Sequence, residues 1–155
     1  MGAFTHYWEK GTCELQEQGD FGFEMDHIAG NQFRRRELQV GDAVYVVNVT
    51  GGRLRLIGRI NVDEITGFEE AEKRLSYKPY PASEHCFGIP DRRGRQAFGR
   101  YVPDDVVRSL KFVRAKGEIV PPKFADRRAA LLDSQTLRGV RRLTDASAAK
   151  LEAAL

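Results

Sequence analysis

Two long apolar runs joined by Gly51-Gly52 dominate the pattern of the chain. From Val40 to Val49 the residues are almost unbroken β-branched or aromatic, with Tyr45 and Asn48 as polar members, which suits a strand covered on both faces. From Arg53 to Val62 the positions Leu54, Leu56, Gly58, Ile60 and Val62 are apolar or small, and those between are polar except Ile57. That is period two, a strand with one dry face. The two glycines sit where a hairpin turn needs positive φ, so the pattern predicts a long central β-hairpin.

The flanking pattern adds shorter elements. Phe4–Trp8 is aromatic and β-branched and predicts a first strand. A short helix near Cys13–Gln18, loop to Gly30, and a helical turn or short helix over Ile28–Leu38 are expected before the hairpin. Phe68–Leu75 predicts a helix, which Pro79 and Pro81 prevent from continuing. Glu84–Ile89 and Gln96–Val102 read as strands on either side of the turn Pro90–Gly94. Pro103-Asp104-Asp105 opens a helix, Lys111–Arg114 returns to the sheet, and Ile119-Val120 ends at Pro121-Pro122. Beyond that the period becomes helical, predicting short pieces over Lys123–Asp133 and Ser134–Leu143, the second capped by Ser134. A last helix follows over Ala146–Leu155, capped by Thr144 or Asp145. The fold class is α+β, with residues 1–122 forming a β-rich domain and residues 123–155 a helical C-terminal extension packed on it.

Composition narrows the class. With 155 residues, 41% hydrophobic and 30% charged, the chain suits one soluble globular domain with a real core. It carries no apolar run of membrane length and no signal-peptide pattern at its start, so no membrane partner and a cytoplasmic location are expected. Cys13 and Cys86 lack CxxC spacing, and His6, His27 and His85 are far apart in sequence. Neither a metal nor a cofactor is expected.

Charge changes the picture more. The net charge of +3 hides an asymmetry: 9 basic and 13 acidic residues up to Tyr77, against 16 and 9 from Lys78 onward. Such a footprint fits a nucleic-acid partner, and solvated faces produce it too. Arg34-Arg35-Arg36 form one cluster, and Arg92, Arg93 and Arg95 form another on a glycine-bearing tip that is either a solvated hairpin or a basic finger. Arg138, Arg141 and Arg142 share a face if their segment is helical. Forked arginine donors suit phosphates. Trp8, the one tryptophan, is either a packing aromatic or a π-face at the end of the first strand, with His6 beside it.

The order Tyr7-Trp8, then Gly30-Asn31-Gln32-Phe33-Arg34, then Leu38-Gln39-Val40-Gly41-Asp42, then Leu56-Ile57-Gly58-Arg59-Ile60-Asn61-Val62 resembles the EVE domain. That domain is a branch of the PUA-like superfamily with the ASCH, YTH and SRA domains. The resemblance spans about residues 5–62. It departs at Tyr45-Val46-Val47-Asn48, where EVE domains tend to carry Phe-Tyr-His-Ser, and it lacks their second early tryptophan.

The resemblance implies a small PUA-like β-barrel with flanking helices that binds nucleic acid, DNA ahead of RNA. It implies recognition of a flipped modified base of the 5-methyl- or 5-hydroxymethylcytosine type, beside a nuclease partner in modification-dependent restriction and without catalysis of its own. Trp8 and Phe33 would supply the π-faces and Asn31 the hydrogen-bonding edge, with His6 and Tyr45 as further candidates. Arg35, Arg36, Arg92, Arg93, Arg95, Arg138 and Arg141 would hold phosphates. Asn31 also suits a cap or a loop-closing amide. The competing classes are a nuclease or hydrolase built on a histidine and a carboxylate, and a protein-interaction or small-ligand module. Against the enzyme, the chain has no HNH, HExxH, GxSxG or P-loop pattern, although Glu84-His85 does place an acid beside a histidine.

Overall fold

The computed structural model describes residues 1–19, 25–89 and 91–155 and, of Arg92, the backbone only. Among them run β1 (Ala3–Tyr7), α1 (Lys10–Gln18), β2 (His27–Gly30), β3 (Ala43–Thr50), β4 (Arg53–Thr66), α2 (Phe68–Arg74) and β5 (Glu84–Gly88). After a 3-10 turn at Arg92–Gly94 come α3 (Asp104–Ser109), β6 (Phe112–Val113), β7 (Ile119–Val120), β8 (Phe124–Asp126), β9 (Leu131–Leu132), β10 (Val140–Leu143) and α4 (Asp145–Ala153). One sheet takes the order β2-β5-β4-β3-β1-β10-β6-β7, and β8 pairs with β9. Strands β1 and β3 run parallel; the other pairings are antiparallel. No helix is long and apolar enough to cross a membrane among the described residues.

The central hairpin forms where the pattern put it. Gly51 and Gly52 take φ of 58° and 80°, and Val44 pairs with Ile60 and Val49 with Leu54. A bulge between Val46 and Val47 leaves Ile57 as the extra residue of β4. The bulge explains the apolar exception in the period: Leu56 and Ile57 are adjacent and both fully buried, on opposite faces of the sheet.

Two cores result. One gathers Phe4, Trp8, Ile28, Phe33, Val44, Val46, Ile57, Ile60, Cys86 and Val140. The other packs Tyr45, Val47, Leu54 and Leu56 under Val107 of α3, Phe112 of β6 and Leu151 of α4. The sheet is strongly curled around the first core. Three strands separate β2 from β1 in the sheet, yet a Cβ on Gly30 would lie 3.3 Å from the His6 ring. No backbone pairing joins these two strands among the described residues, so the hydrogen-bonded sheet is open where a closed barrel was expected.

Residues 123–155 depart most from the helical expectation. Residues 123–143 form β8, β9, β10 and turns, and only Asp145–Ala153 is helical, capped by the Thr144 side chain from Ser147 N. Strand β10 lies inside the main sheet between β1 and β6, so this segment completes the β-rich body rather than extending it. The physical reason is local. Asp126 accepts from Ala129 N and Asp133 from Gln135 N, while Ala130 and Gly139 take φ of 56° and 76°. Aspartates that bond the chain ahead of them compete with helix, and positive φ ends it.

Two further expectations shift. Ile28–Gly30 is strand, paired with β5, and only the residues after it turn. Gln96–Val102 is irregular chain running along β4, held by Ala97 N to Ile57 O at 2.8 Å and Val102 N to Leu54 O at 3.0 Å. The expected loop before β2 lies partly outside the described residues.

Candidate nucleic-acid interface

A cleft of about 490 Å³ is lined by Arg36, Val113, Arg114, Ala115, Lys116, Glu118, Arg138 and Arg141. Three separate segments bring its cations together. Arg141 stands on β10, Arg114 and Lys116 follow β6 in the turn to β7, and Arg36 belongs to the turn after β2. That turn is docked by Gln32, whose side chain fills the space beside Gly139; a Cβ there would lie 2.6 Å from Gln32 Oε1. Arg36 N then donates to Gln32 O at 3.0 Å, which fixes the turn under its own charge.

The electrostatics are one-sided. Among the described residues, five cations meet a single carboxylate, Glu118, which sits 3.7 Å from Arg114 with both side chains mostly exposed. Arg138 reaches Glu9 at 3.5 Å, again on the surface. Exposed pairs of this kind hold little energy and yield readily to a competing anion. Arg141 has no carboxylate partner among the described residues; it donates to Thr136 O at 2.8 Å and lies 4.1 Å above the Phe112 ring. Burial, then the charges of Arg114 and Arg36, lower its pKa.

The expected ridge of Arg138, Arg141 and Arg142 is split, because neighbours on a strand point to opposite faces. Arg141 covers Phe112, and Arg142 covers Phe4 at 5.7 Å on the other side. Arg138 and Arg141 still meet at the cleft, joined by Arg36; Arg35 is exposed but not part of the lining. Arg114 and Lys116 were missed as site residues. Their signal was available, since Arg114-Ala115-Lys116-Gly117 is a basic turn within the positively charged half.

The arginines near residue 93 do not form a free finger. Arg93 N donates to Asp91 Oδ1, its guanidinium lies 3.3 Å from Glu152, and Gly94 is packed on the backbone of Arg59. Arg95 is partnered too, and the Arg92 side chain lies outside the described residues. Arg59 anchors this corner: buried, it pairs with Asp91 of the turn and Glu152 of α4, and Glu152 also accepts from Tyr45 Oη at 2.9 Å. Burial alone would lower the Arg59 pKa, but Glu152 and Asp91 raise it overall. Breaking a buried pair leaves its partner charged in a poor solvent. Because both carboxylates are partly exposed, Arg59→Met is expected to cost about 2 kcal/mol in urea unfolding, below the range for a fully buried pair. An unchanged midpoint would mean the network holds nothing together.

The residues expected to form a base pocket scatter. Trp8 and Phe33 are buried in the first core, so neither ring offers an open face. Tyr45 points to the opposite core and is tied to Glu152. His6 is buried 5.0 Å from Phe33, its Nδ1 without a partner among the described residues, and burial, partly offset by the Ala29 backbone, lowers its pKa to about 4. Asn31 alone is exposed, and it does close a loop: its Oδ1 accepts from Ser83 N at 2.8 Å and Ser83 Oγ at 3.0 Å. Held by its oxygen, the amide keeps two N–H donors that have no partner among the described residues.

His27 and His85, far apart in sequence, come together across β2 and β5. His27 Nε2 and His85 Nδ1 are 2.8 Å apart, and His85 Nε2 reaches Ala82 O at 3.0 Å. The carbonyl takes the proton on His85 Nε2, so His85 Nδ1 must accept from His27. The planes differ by 6° with centres 5.1 Å apart, the arrangement of two imidazoles bonded end to end. No group of three histidine, cysteine or acidic side chains converges as metal ligands among the described residues.

No family model matches the chain, and no curated protein does. Among solved structures, the chain is similar to protein Atu2648 from Agrobacterium tumefaciens, with 15% identity, a TM-score of 0.42, and coverage of 99% of this chain and 92% of that one.

Proposed function

We propose that the protein is a nucleic-acid-binding module of the PUA-like, EVE type that grips backbone phosphates in the cleft between the Arg36 turn and the β6–β7 turn. The observation that carries this is the crowding of Arg36, Arg114, Lys116, Arg138 and Arg141 around one cleft with Glu118 as the sole carboxylate of its lining among the described residues. A phosphate chain would relieve the mutual repulsion and collect charge-assisted hydrogen bonds. The curl that brings Gly30 against His6 supports a PUA-like barrel closed by side chains. In this reading the chain does no chemistry, and cleavage falls to a nuclease partner. The modified base comes from the resemblance, and Asn31, with two N–H donors that have no partner among the described residues, is the residue offered to its edge.

Fluorescence anisotropy with matched DNA oligonucleotides carrying cytosine, 5-methylcytosine or 5-hydroxymethylcytosine tests both layers. Removing the exposed arginines in Arg36→Gln/Arg138→Gln is expected to weaken binding to every oligonucleotide alike. Each lost phosphate contact should flatten the slope of log K against log salt by about 0.9 on a B-form duplex. Asn31→Ala is expected to erase discrimination between the bases while keeping that slope. Binding that ignores the arginine variants would remove the cleft from the function.

A further inference from the structure

Resting on that reading, we infer that the cleft takes the phosphate backbone of a duplex rather than an unpaired strand. Proteins that hold single strands lay the bases on open aromatic faces beside a basic groove. Among the described residues the lining here offers none: its eight residues are charged or aliphatic, with no ring, amide or hydroxyl. The two rings nearest its cations are already covered. Arg141 occupies the face of Phe112 at 4.1 Å, and Arg138 lies over Tyr7 at 5.8 Å. Trp8, the remaining aromatic of β1's end, is inside the core. An unpaired strand would bring its bases to a lining with no free ring among the described residues, whereas a duplex keeps its bases stacked and presents its phosphates to the cleft.

The rigidity of the cations fits the same ligand. Arg141 sits on a strand paired on both edges and is locked by Thr136 O, and Gln32 pins the Arg36 turn against Gly139. A guanidinium held in place at Arg141, beside a turn held in place under Arg36, suits a backbone whose phosphates are at fixed spacing. A flexible strand would lose its freedom to reach them.

The experiment measures anisotropy of the full chain with 20-nucleotide single strands and the matching DNA and RNA duplexes over a series of salt concentrations, following Trp8 emission alongside. The expected result is a duplex at least about tenfold tighter than either strand. Its salt slope should be near −4, from four to five neutralised phosphates at about 0.9 each, with Trp8 emission unchanged. The DNA and RNA arms share this chemistry, and the tighter one identifies the source. Equal or tighter binding of a single strand, or quenching of Trp8 by one, would overturn the inference and leave the nucleic-acid reading standing. Absence of binding to all three at low salt would overturn both. Arg36→Gln/Arg138→Gln, changing only exposed side chains, should lose duplex affinity at least about tenfold; full retention would also overturn the assignment to this cleft.

Discussion

Lowering the pH from 7 to 4 is expected to strip several kcal/mol from the stability of this protein, with most of the loss above pH 4. Burial lowers the pKa of both His6 and His27 from 6.5 to about 4, so the native state holds them neutral while the unfolded chain takes up protons. The sign follows from linkage. Stability is fully present above pH 6.5, falls as the unfolded state binds protons, and levels off below about pH 4, where the native state binds them as well. For His6, with its unpartnered Nδ1 inside the core, a shift of this size corresponds to about 3 kcal/mol.

The His27–His85 pair adds a contribution of the same sign. It can take one proton on His27 and keep its 2.8 Å bond, but a second would set two N–H groups against each other. The charges around the pair offer little help: Arg74, over Phe87, is bound to Glu64 and Glu70; Glu84 accepts from Arg34 N; and Asp26 lies beside Tyr77. Phe68 of α2 and Phe87 supply apolar surface. Urea unfolding at pH 7, 6, 5 and 4 checks the whole. His6→Leu should remove up to one proton's slope, about 1.4 kcal/mol per pH unit, from the window between 6.5 and 4. A variant with the same acid loss as the parent would show that His6 is not its source.

What the sequence made legible depended on whether an element's own residues decided its state. The β3–β4 hairpin was legible because β-branched runs and Gly51-Gly52 specify strand and turn without help from elsewhere. The start of α3 was equally local, with Asp104 and Asp105 in its first turn. Residues 123–143 were not legible, since Leu137, Val140 and Leu143 fall three apart as on a helix. Their state is set by the place β10 finds between β1 and β6. The cleft follows the same rule. Arg36, Arg138 and Arg141 stood out as charges, but their meeting depends on Gln32 seating against Gly139, a contact between residues 107 positions apart. The base-pocket residues failed for a related reason: aromatics flanking a motif are also the largest core fillers, and burial claimed Trp8 and Phe33.

Phe33→Ala separates these two roles most sharply. As a fully buried ring it touches the His6 ring at 5.0 Å, and a Cβ added to Gly30 would stand only 3.1 Å from it, so little room exists for the surroundings to collapse into the space it leaves. Truncating such a phenylalanine removes its transfer energy and opens a cavity, at a cost of about 3–5 kcal/mol. The urea midpoint should fall accordingly, and Phe33→Leu, which refills most of the volume, should recover more than half of the loss. Because the ring lies outside the cleft lining, the fraction that remains folded should bind duplex within about threefold of the parent and with an unchanged salt slope. A ring serving as a stacking face would give the reverse, a variant of nearly parental stability that has lost its ligand. Arg36→Gln supplies the complementary case, since an exposed side chain with no bonded partner among the described residues should change binding and leave the unfolding midpoint where it was. The two variants measured together divide the motif-bearing turn between its buried anchor and its charged rim.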